Sequence, residues 1–348
     1  MSDHPHDFAS DNHSGAHPEV LEAIAAANVG HSGSYGDDPW TERVEAAFRD
    51  HFGEGARAFV VFNGTGANVA ALDAFTGPHE AAICTDTAHM HVDECGAPER
   101  LTGTKLLTVA TEHGKLSPDD LRRWEAKRGD IHHVQPRVVS ITQSTEFGTV
   151  YTVEQTQALT DVAHELGMYV HLDGARLANA AASLGASLRG LATDVGVDAV
   201  SFGGTKNGMV FGEAVVFLTP GLGEDFAFVR KQLGQLASKM RFASAQLEAL
   251  LTGDLWLRSA SHANRMASRL ADAVGGLEQL EIVHPVEANG VFARLPRPAI
   301  DALLSDLPAP DPFYIWDDAE GVVRWMCSWD TTPEDVDAFA VAVADALR

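Results

Sequence analysis

The chain is short of cations. It carries 25 lysine and arginine residues against 49 aspartate and glutamate, a formal charge of −24 over 348 residues. Nucleic-acid backbones and anionic membranes need a concentrated basic surface, so both are excluded as partners. Cysteine is scarce as well. Cys84, Cys95 and Cys327 are odd in number and lack metal-ligand spacing, which argues for reduced thiols in a reducing compartment and against a disulfide framework. No apolar run is long enough to span a bilayer, and Met1 to Asp11 is polar and acidic where a secretion signal would be basic and then apolar. A soluble, cytoplasmic protein is expected. The absence of Gly-X-Gly-X-X-Gly and of a Walker lysine weakens dinucleotide and ATP readings, and no internal repeat or low-complexity tract is present.

At 45% hydrophobic, the sequence can bury one large core and a smaller second one. From Ala58 to Leu218, short apolar runs alternate with longer amphipathic segments, which predicts a mainly parallel seven-stranded sheet with helices on both faces. The runs are 58–62, 81–84, 105–109, 137–142, 168–172, 198–202 and 213–218. Ser117-Pro118-Asp119-Asp120 and Thr152-Val153-Glu154-Gln155 are helix starts, the second opening a helix to about Leu166. A long helix is expected over 223–251 and another over 255–274. Strands at 281–284, 290–294 and 322–327 with helices at 298–305 and 333–347 then suggest a small α+β C-terminal domain. The domains are accordingly set at 1–250 and 251–348.

Only six lysines occur, and five of them (105, 115, 127, 231 and 239) lie in polar surroundings. Lys206 instead follows the apolar run Asp-Ala-Val-Ser-Phe and precedes Met209-Val210-Phe211. A charged amine there is costly unless paired or neutralised, and burial lowers its pKa and makes it nucleophilic. Asp173 closes another apolar run 33 residues earlier. A carboxylate and an amine at two strand ends can hold pyridoxal phosphate (PLP), with Lys206 as the imine and Asp173 on the ring nitrogen. Ligands of open α/β sheets gather at the carboxyl ends of the strands. There, Asn63-Gly64-Thr65-Gly66 leads into a helix whose amides suit a phosphate, although such a turn alone is often just a tight corner.

The ordered set Phe8-Ala-Ser-Asp-Asn12, Ser34-Tyr-Gly-Asp-Asp-Pro-Trp40, Phe62-Asn-Gly-Thr-Gly-Ala-Asn68, Thr87-Ala-His89, Asp93-Glu-Cys-Gly-Ala97, His171-Leu-Asp-Gly-Ala-Arg176, Phe202-Gly-Gly-Thr-Lys-Asn-Gly208, Lys239-Met-Arg241, Glu287-Ala-Asn-Gly-Val-Phe292 and Arg324-Trp-Met-Cys-Ser328 resembles the low-specificity L-threonine aldolases of the β-eliminating lyase family. The resemblance runs nearly end to end. It implies the aspartate aminotransferase-like PLP fold and cleavage of the Cα–Cβ bond of L-threonine and L-allo-threonine to glycine and an aldehyde. It further implies that Gly64 and Thr65 bind the phosphate with Arg241 from a neighbouring subunit. His89 would stack on the cofactor ring, Ser10, Arg176 and Arg324 would hold the substrate carboxylate, and Tyr35 would approach from the subunit interface of a homotetramer built from dimers. Many relatives read Glu-Asn-Thr-His-Asn after the fourth strand, whereas this chain reads Thr142-Gln-Ser-Thr-Glu-Phe147, with Glu146 as the substitute for the histidine.

His89 and His132 are the candidates for the base that takes the hydroxyl proton, because imidazole titrates nearest neutrality. His132 matches a family histidine near the substrate hydroxyl. Plainer readings stand beside these: Arg176 as a structural ion pair, Arg241 as a surface helix residue, and Arg324 on the solvent face of an edge strand. No metal is expected, and Asp37-Asp38 reads as a solvated turn rather than a cation site. Other reactions on the same scaffold, β-elimination or phenylserine cleavage, remain open, as does a non-catalytic binding protein.

Overall fold

The computed structural model describes residues 6–348; residues 1–5, placed by the sequence at the head of the large domain, lie outside the described residues. Seven strands form the main sheet: β1 Arg57–Val61, β2 Glu80–Thr85, β3 Lys105–Val109, β4 Gln135–Thr142, β5 Tyr169–Gly174, β6 Ala199–Gly203 and β7 Glu213–Phe217. Their order is β1-β7-β6-β5-β4-β2-β3. Only β7 runs antiparallel to its neighbours, β1 and β6. The strands read as unbroken apolar runs because helices cover both faces. Alternation divides them between two cores: Val170, Leu172, Val200 and Phe202 enter one, while Ala82, Cys84, Val138 and Val215 enter the other.

The capping box at Thr152 opens a helix over Val153–Glu165, as its sequence predicts. The expected helix over 223–251 is instead two, Phe226–Gln232 and Arg241–Leu251. Gly234 at φ 73° lies in the left-handed region and ends the first of them, and its lack of a Cβ makes that stop inexpensive.

A second sheet follows, with β8 Glu281–Ile282, β9 Gly290–Arg294, β10 Tyr314–Asp317 and β11 Val322–Met326 in the order β10-β11-β9-β8, all antiparallel. Strand β10 has no counterpart in the sequence reading. It takes the edge position, so Arg324 on β11 is not on an edge strand. The 20-residue helix Leu255–Val274 begins in the first core with Leu255, Trp256 and Ala260. It ends in the second core with Met266, Leu270 and Val274. Phe8 also packs in the second core, with its ring stacked 4.4 Å from that of Phe339. Its backbone accepts from Met326 N–H at 2.7 Å and donates to Pro312 O at 2.8 Å. Among the described residues, no helix is long and apolar enough to cross a membrane.

Candidate active site

The carboxyl ends of β4, β5 and β6 open onto a cavity of about 240 Å³, completed by the start of the helix Gly64–Phe75. That helix is capped by Asn63, whose Oδ1 accepts from Gly66 N–H at 2.8 Å. The first amides and the positive end of the dipole therefore border the cavity at Gly64 and Thr65, an arrangement suited to a phosphate. Close approach of backbones at the strand ends requires glycine. A Cβ on Gly203 would lie 2.6 Å from Ala175 Cα and O, closer than real contacts allow.

Lys206 sits in the one-turn helix Thr205–Asn207 that follows β6. The turn is pinned on both sides, since Asn207 Nδ2 donates to Trp256 O at 2.9 Å and Gly204 N–H donates to Glu213 Oε2 at 2.6 Å. Burial, reinforced by the Arg176 charge, lowers the pKa of the Lys206 amine against the opposing pull of Asp11, Asp173 and Glu213. Across the cavity, Asp173 is nearly sealed. Its Oδ1 accepts from Ala175 N–H at 3.0 Å and its Oδ2 from Asn68 Nδ2 at 2.8 Å. Beneath it, His171 bridges Ser140 and Ser201 at 2.9 and 2.8 Å; burial pushes this imidazole down to about 4, so it is a neutral strut.

His89 lines the same cavity and is paired through Nδ1 with Glu94 at 2.9 Å. The hydrogen bond to Glu94 raises the His89 pKa and outweighs desolvation. Asn68 Nδ2 reaches Glu94 Oε1 at 2.9 Å as well as Asp173, tying the histidine and the strand-end carboxylate into one network. Arg176 is committed in part: its Nε and Nη2 donate to the two oxygens of Asp11 at 2.7 and 2.8 Å. Burial alone would raise the Asp11 carboxyl, but the charge and hydrogen bonds of Arg176 hold it down at about 2.

A second cavity of about 590 Å³ continues outward and shares Asn12, His89, Glu146, Arg176 and Lys206 with the first. Ser10 and Arg324 join at this mouth. Arg324 Nη2 donates to Ala9 O at 3.1 Å, its guanidinium lies 5.1 and 5.4 Å from the Tyr314 and Trp316 rings, and its buried Nε has no partner. Among the described residues it makes no salt bridge to any carboxylate. Burial, with Arg176 close by, lowers it to about 10.

Eight sequence-predicted residues are thus brought together: Lys206, Asp173, His89, Gly64, Thr65 and Arg176 in the inner cavity, Ser10 and Arg324 at its mouth. Three line neither cavity. Tyr35 is half exposed with φ 61°, and Lys231 Nζ lies 4.8 Å from its ring. Arg241 donates to Val29 O at 3.1 Å and lies 5.9 Å from the Trp40 ring. His132 is exposed on the loop before β4, so nearly the whole strand separates it from the cavity at the other end, about 25 Å. Asp38 is buried rather than solvated, because its carboxylate caps the helix Pro39–Phe52 by accepting from Thr41 N–H and Oγ1 at 2.9 and 3.0 Å. Sequence reasoning gave no role to Asp11, Asn68, Glu94 or Glu213. Asn68 and Glu213 carry a signal, a lone polar residue in an otherwise apolar element, as where Glu213 opens Glu-Ala-Val-Val-Phe, whereas Asp11 and Glu94 sit among other polar residues and carry none.

The donor set fits PLP: an amine with lowered basicity, a sealed carboxylate, and free helix amides around one cavity. The model of the β-eliminating lyase family matches residues 7–297. The low specificity L-threonine aldolase of Pseudomonas aeruginosa is 49% identical over 97% of this chain and 96% of its own length. That of a further Pseudomonas strain is 47% identical over 95% of each. The solved structure of Leishmania major threonine aldolase superposes with a TM-score of 0.91 at 28% identity, covering 99% of this chain and 100% of that one. With the family model spanning most of the sequence and both bacterial relatives aligned over nearly their whole length, the chain belongs to the β-eliminating lyase family of PLP-dependent enzymes.

Proposed function

We propose that the chain cleaves the Cα–Cβ bond of L-threonine, L-allo-threonine and other β-hydroxy-α-amino acids, reversibly, to glycine and an aldehyde. The observation that carries this reading is Arg324, a half-buried guanidinium whose sealed Nε has no partner and which pairs with no carboxylate among the described residues, beside Arg176 at the mouth of the cavity that holds Lys206. Two neighbouring cations of which one is uncompensated call for an anionic ligand, and a substrate α-carboxylate meets the need. Asp11 occupies the Nε/Nη2 edge of Arg176, so that residue offers only its Nη1 side. Arg324 therefore supplies most of the grip, with Ser10 at its side.

Lys206 would hold the cofactor, with Asp173 at its ring nitrogen, His89 on its face, and Gly64 and Thr65 at its phosphate. When bound, PLP takes up the electron pair left at Cα. The protein's part is orientation: gripping the carboxylate fixes which bond at Cα is aligned for cleavage. Asp173, engaged by Asn68 and by Ala175 N–H, is pre-positioned for its partner. Glu94 holds His89 in one orientation through Nδ1.

We also infer a homotetramer of dimers with shared sites. Phe62, Val210 and Phe211 stay exposed beside the phosphate-binding turn, and Phe62 and Phe211 stack with centroids 6.3 Å apart. Such a patch suits a subunit contact, and Tyr35 and Arg241 lie outside their own cavity, free to serve a neighbour's. His132 can reach a reacting hydroxyl only in another copy. Activity that persists on dilution to monomers would contradict shared sites. The fold is taken to divide near residue 250, and the compartment to be the cytoplasm. Incubation with L-threonine, L-allo-threonine, L-phenylserine and D-threonine should release aldehyde and glycine from the L-substrates; ammonia with a keto acid would point to elimination and overturn the reading.

A further inference from the structure

Glu146 borders both cavities. Its Oε1 accepts from Thr142 Oγ1–H at 2.8 Å and from His89 N–H at 3.0 Å, which fixes the carboxyl at the junction between the cofactor cavity and the substrate mouth. Its Oε2 is sealed from solvent and has no partner among the described residues. A fixed carboxyl with one unsatisfied oxygen in a reaction cavity is either a defect or a group that waits for a ligand hydrogen. Of the alternatives for proton removal, His132 lies at the opposite end of β4, and His89 already has Nδ1 engaged with Glu94.

We infer that Glu146 receives the β-hydroxyl proton of the substrate. The inference rests on the aldol-cleavage reading above. The hydroxyl O–H bond breaks as its proton passes to the carboxylate of Glu146, the oxygen pair forms the aldehyde C=O, and the Cα–Cβ pair is left on Cα. Cα then takes a proton from Lys206, which solvent replenishes, and Glu146 returns its own to solvent. One proton leaves oxygen and one arrives at carbon, so the sum is neutral.

The carboxyl is poised for this task. Burial, with the nearby Asp173 charge, raises it to about 7 in spite of its hydrogen bonds, close to the best value for a base at neutral pH. The ionisable groups facing it are Asp173 on β5, Arg176 just after it, His89, Lys206, the Cys84 thiol of β2 and the Tyr151 phenol.

The test is Glu146→Gln, which keeps the shape and the acceptor for Thr142 and His89 N–H. Measured on the PLP-loaded enzyme, kcat for L-threonine should fall roughly 10²–10⁴-fold with KM within about threefold. Borohydride should still fix one cofactor per chain on Lys206, and the α-hydrogens of glycine should still exchange in D₂O, because that exchange has no hydroxyl to deprotonate. The wild-type rise of kcat through about pH 7 should vanish in the variant, and Glu146→Asp should restore part of the rate. Unchanged cleavage would overturn the inference, as would glycine exchange lost in parallel with cleavage, since that pattern marks a structural role. A wild-type enzyme that exchanges glycine but cleaves no β-hydroxy amino acid would instead overturn the reading on which the inference rests.

Discussion

Replacing Asp11 by Asn should destabilise the protein far more than an average surface substitution. The Asp11 side chain is 1% exposed and accepts from Arg176 twice, at 2.7 and 2.8 Å, and from Asn289 Nδ2 at 3.1 Å. Holding this carboxyl at about 2 against an ordinary 3.8 corresponds to roughly 2 kcal/mol of stabilisation, at about 1.4 kcal/mol per pH unit. Removing the charge also strands Arg176 in a buried setting, and breaking such a pair by deleting one partner costs about 3–5 kcal/mol. The second effect is the larger. With an unfolding entropy of about 2.1 cal/mol/K per residue, Tm should fall by roughly 4–7 °C at pH 7. Because the folded pKa is depressed, the contribution is fully present above 3.8 and is lost as pH falls through about 2, so the gap between wild type and variant should close over that window. Thermal unfolding of the cofactor-free protein, followed by circular dichroism, reads both. The double variant with Arg176→Met should recover part of the loss, since no cation is then left unpaired. A single variant melting within about 1 °C of wild type at neutral pH would refute the reasoning.

The purified protein should be yellow and lose that colour on borohydride treatment, with the cofactor then covalently on Lys206; peptide mapping that finds it on another lysine would remove Lys206 from its assigned role. Arg324→Ala should raise KM for L-threonine by about 10–150-fold, the equivalent of about 1.5–3 kcal/mol for a charge-assisted bond, with kcat changed less. An unaltered KM would take Arg324 out of the substrate site.

Much of the fold was legible because the sheet is covered on both sides, so each of its seven strands is written as an apolar run that periodicity detects. The break at Gly234 was not, since Leu236 and Ala237 continue to pack against the core and preserve the helical spacing across it. Strand β10 escaped notice because Tyr-Ile-Trp-Asp is short, half exposed and preceded by a proline-rich stretch. At the site, the rarity of lysine singled out Lys206, and its partner Asp173 closed a strand. What a sequence cannot display is pairing at a distance. From the sequence Arg176 reads as a fork for the substrate or as a structural ion pair, and only the fold brings Asp11, 165 residues earlier, onto its Nε/Nη2 edge. His132 lies beside β4 in sequence, yet strand direction puts it at the end away from the cavity.

The N-terminal segment joins its two cores in a way that bears on synthesis. Phe8 meets Met326, Ala9 meets Arg324 across 315 residues, and Asp11 meets Asn289. This segment therefore waits for partners synthesised 278 and 315 residues later, some tens of seconds at about 5–20 residues per second. Until then the nascent sheet carries an open mouth and an Arg176 that already has Asp11 available but lacks Asn289 behind it. The substrate mouth is thus a late product of translation, and a chain truncated before β11 would keep the residues of the inner cavity but lack Arg324.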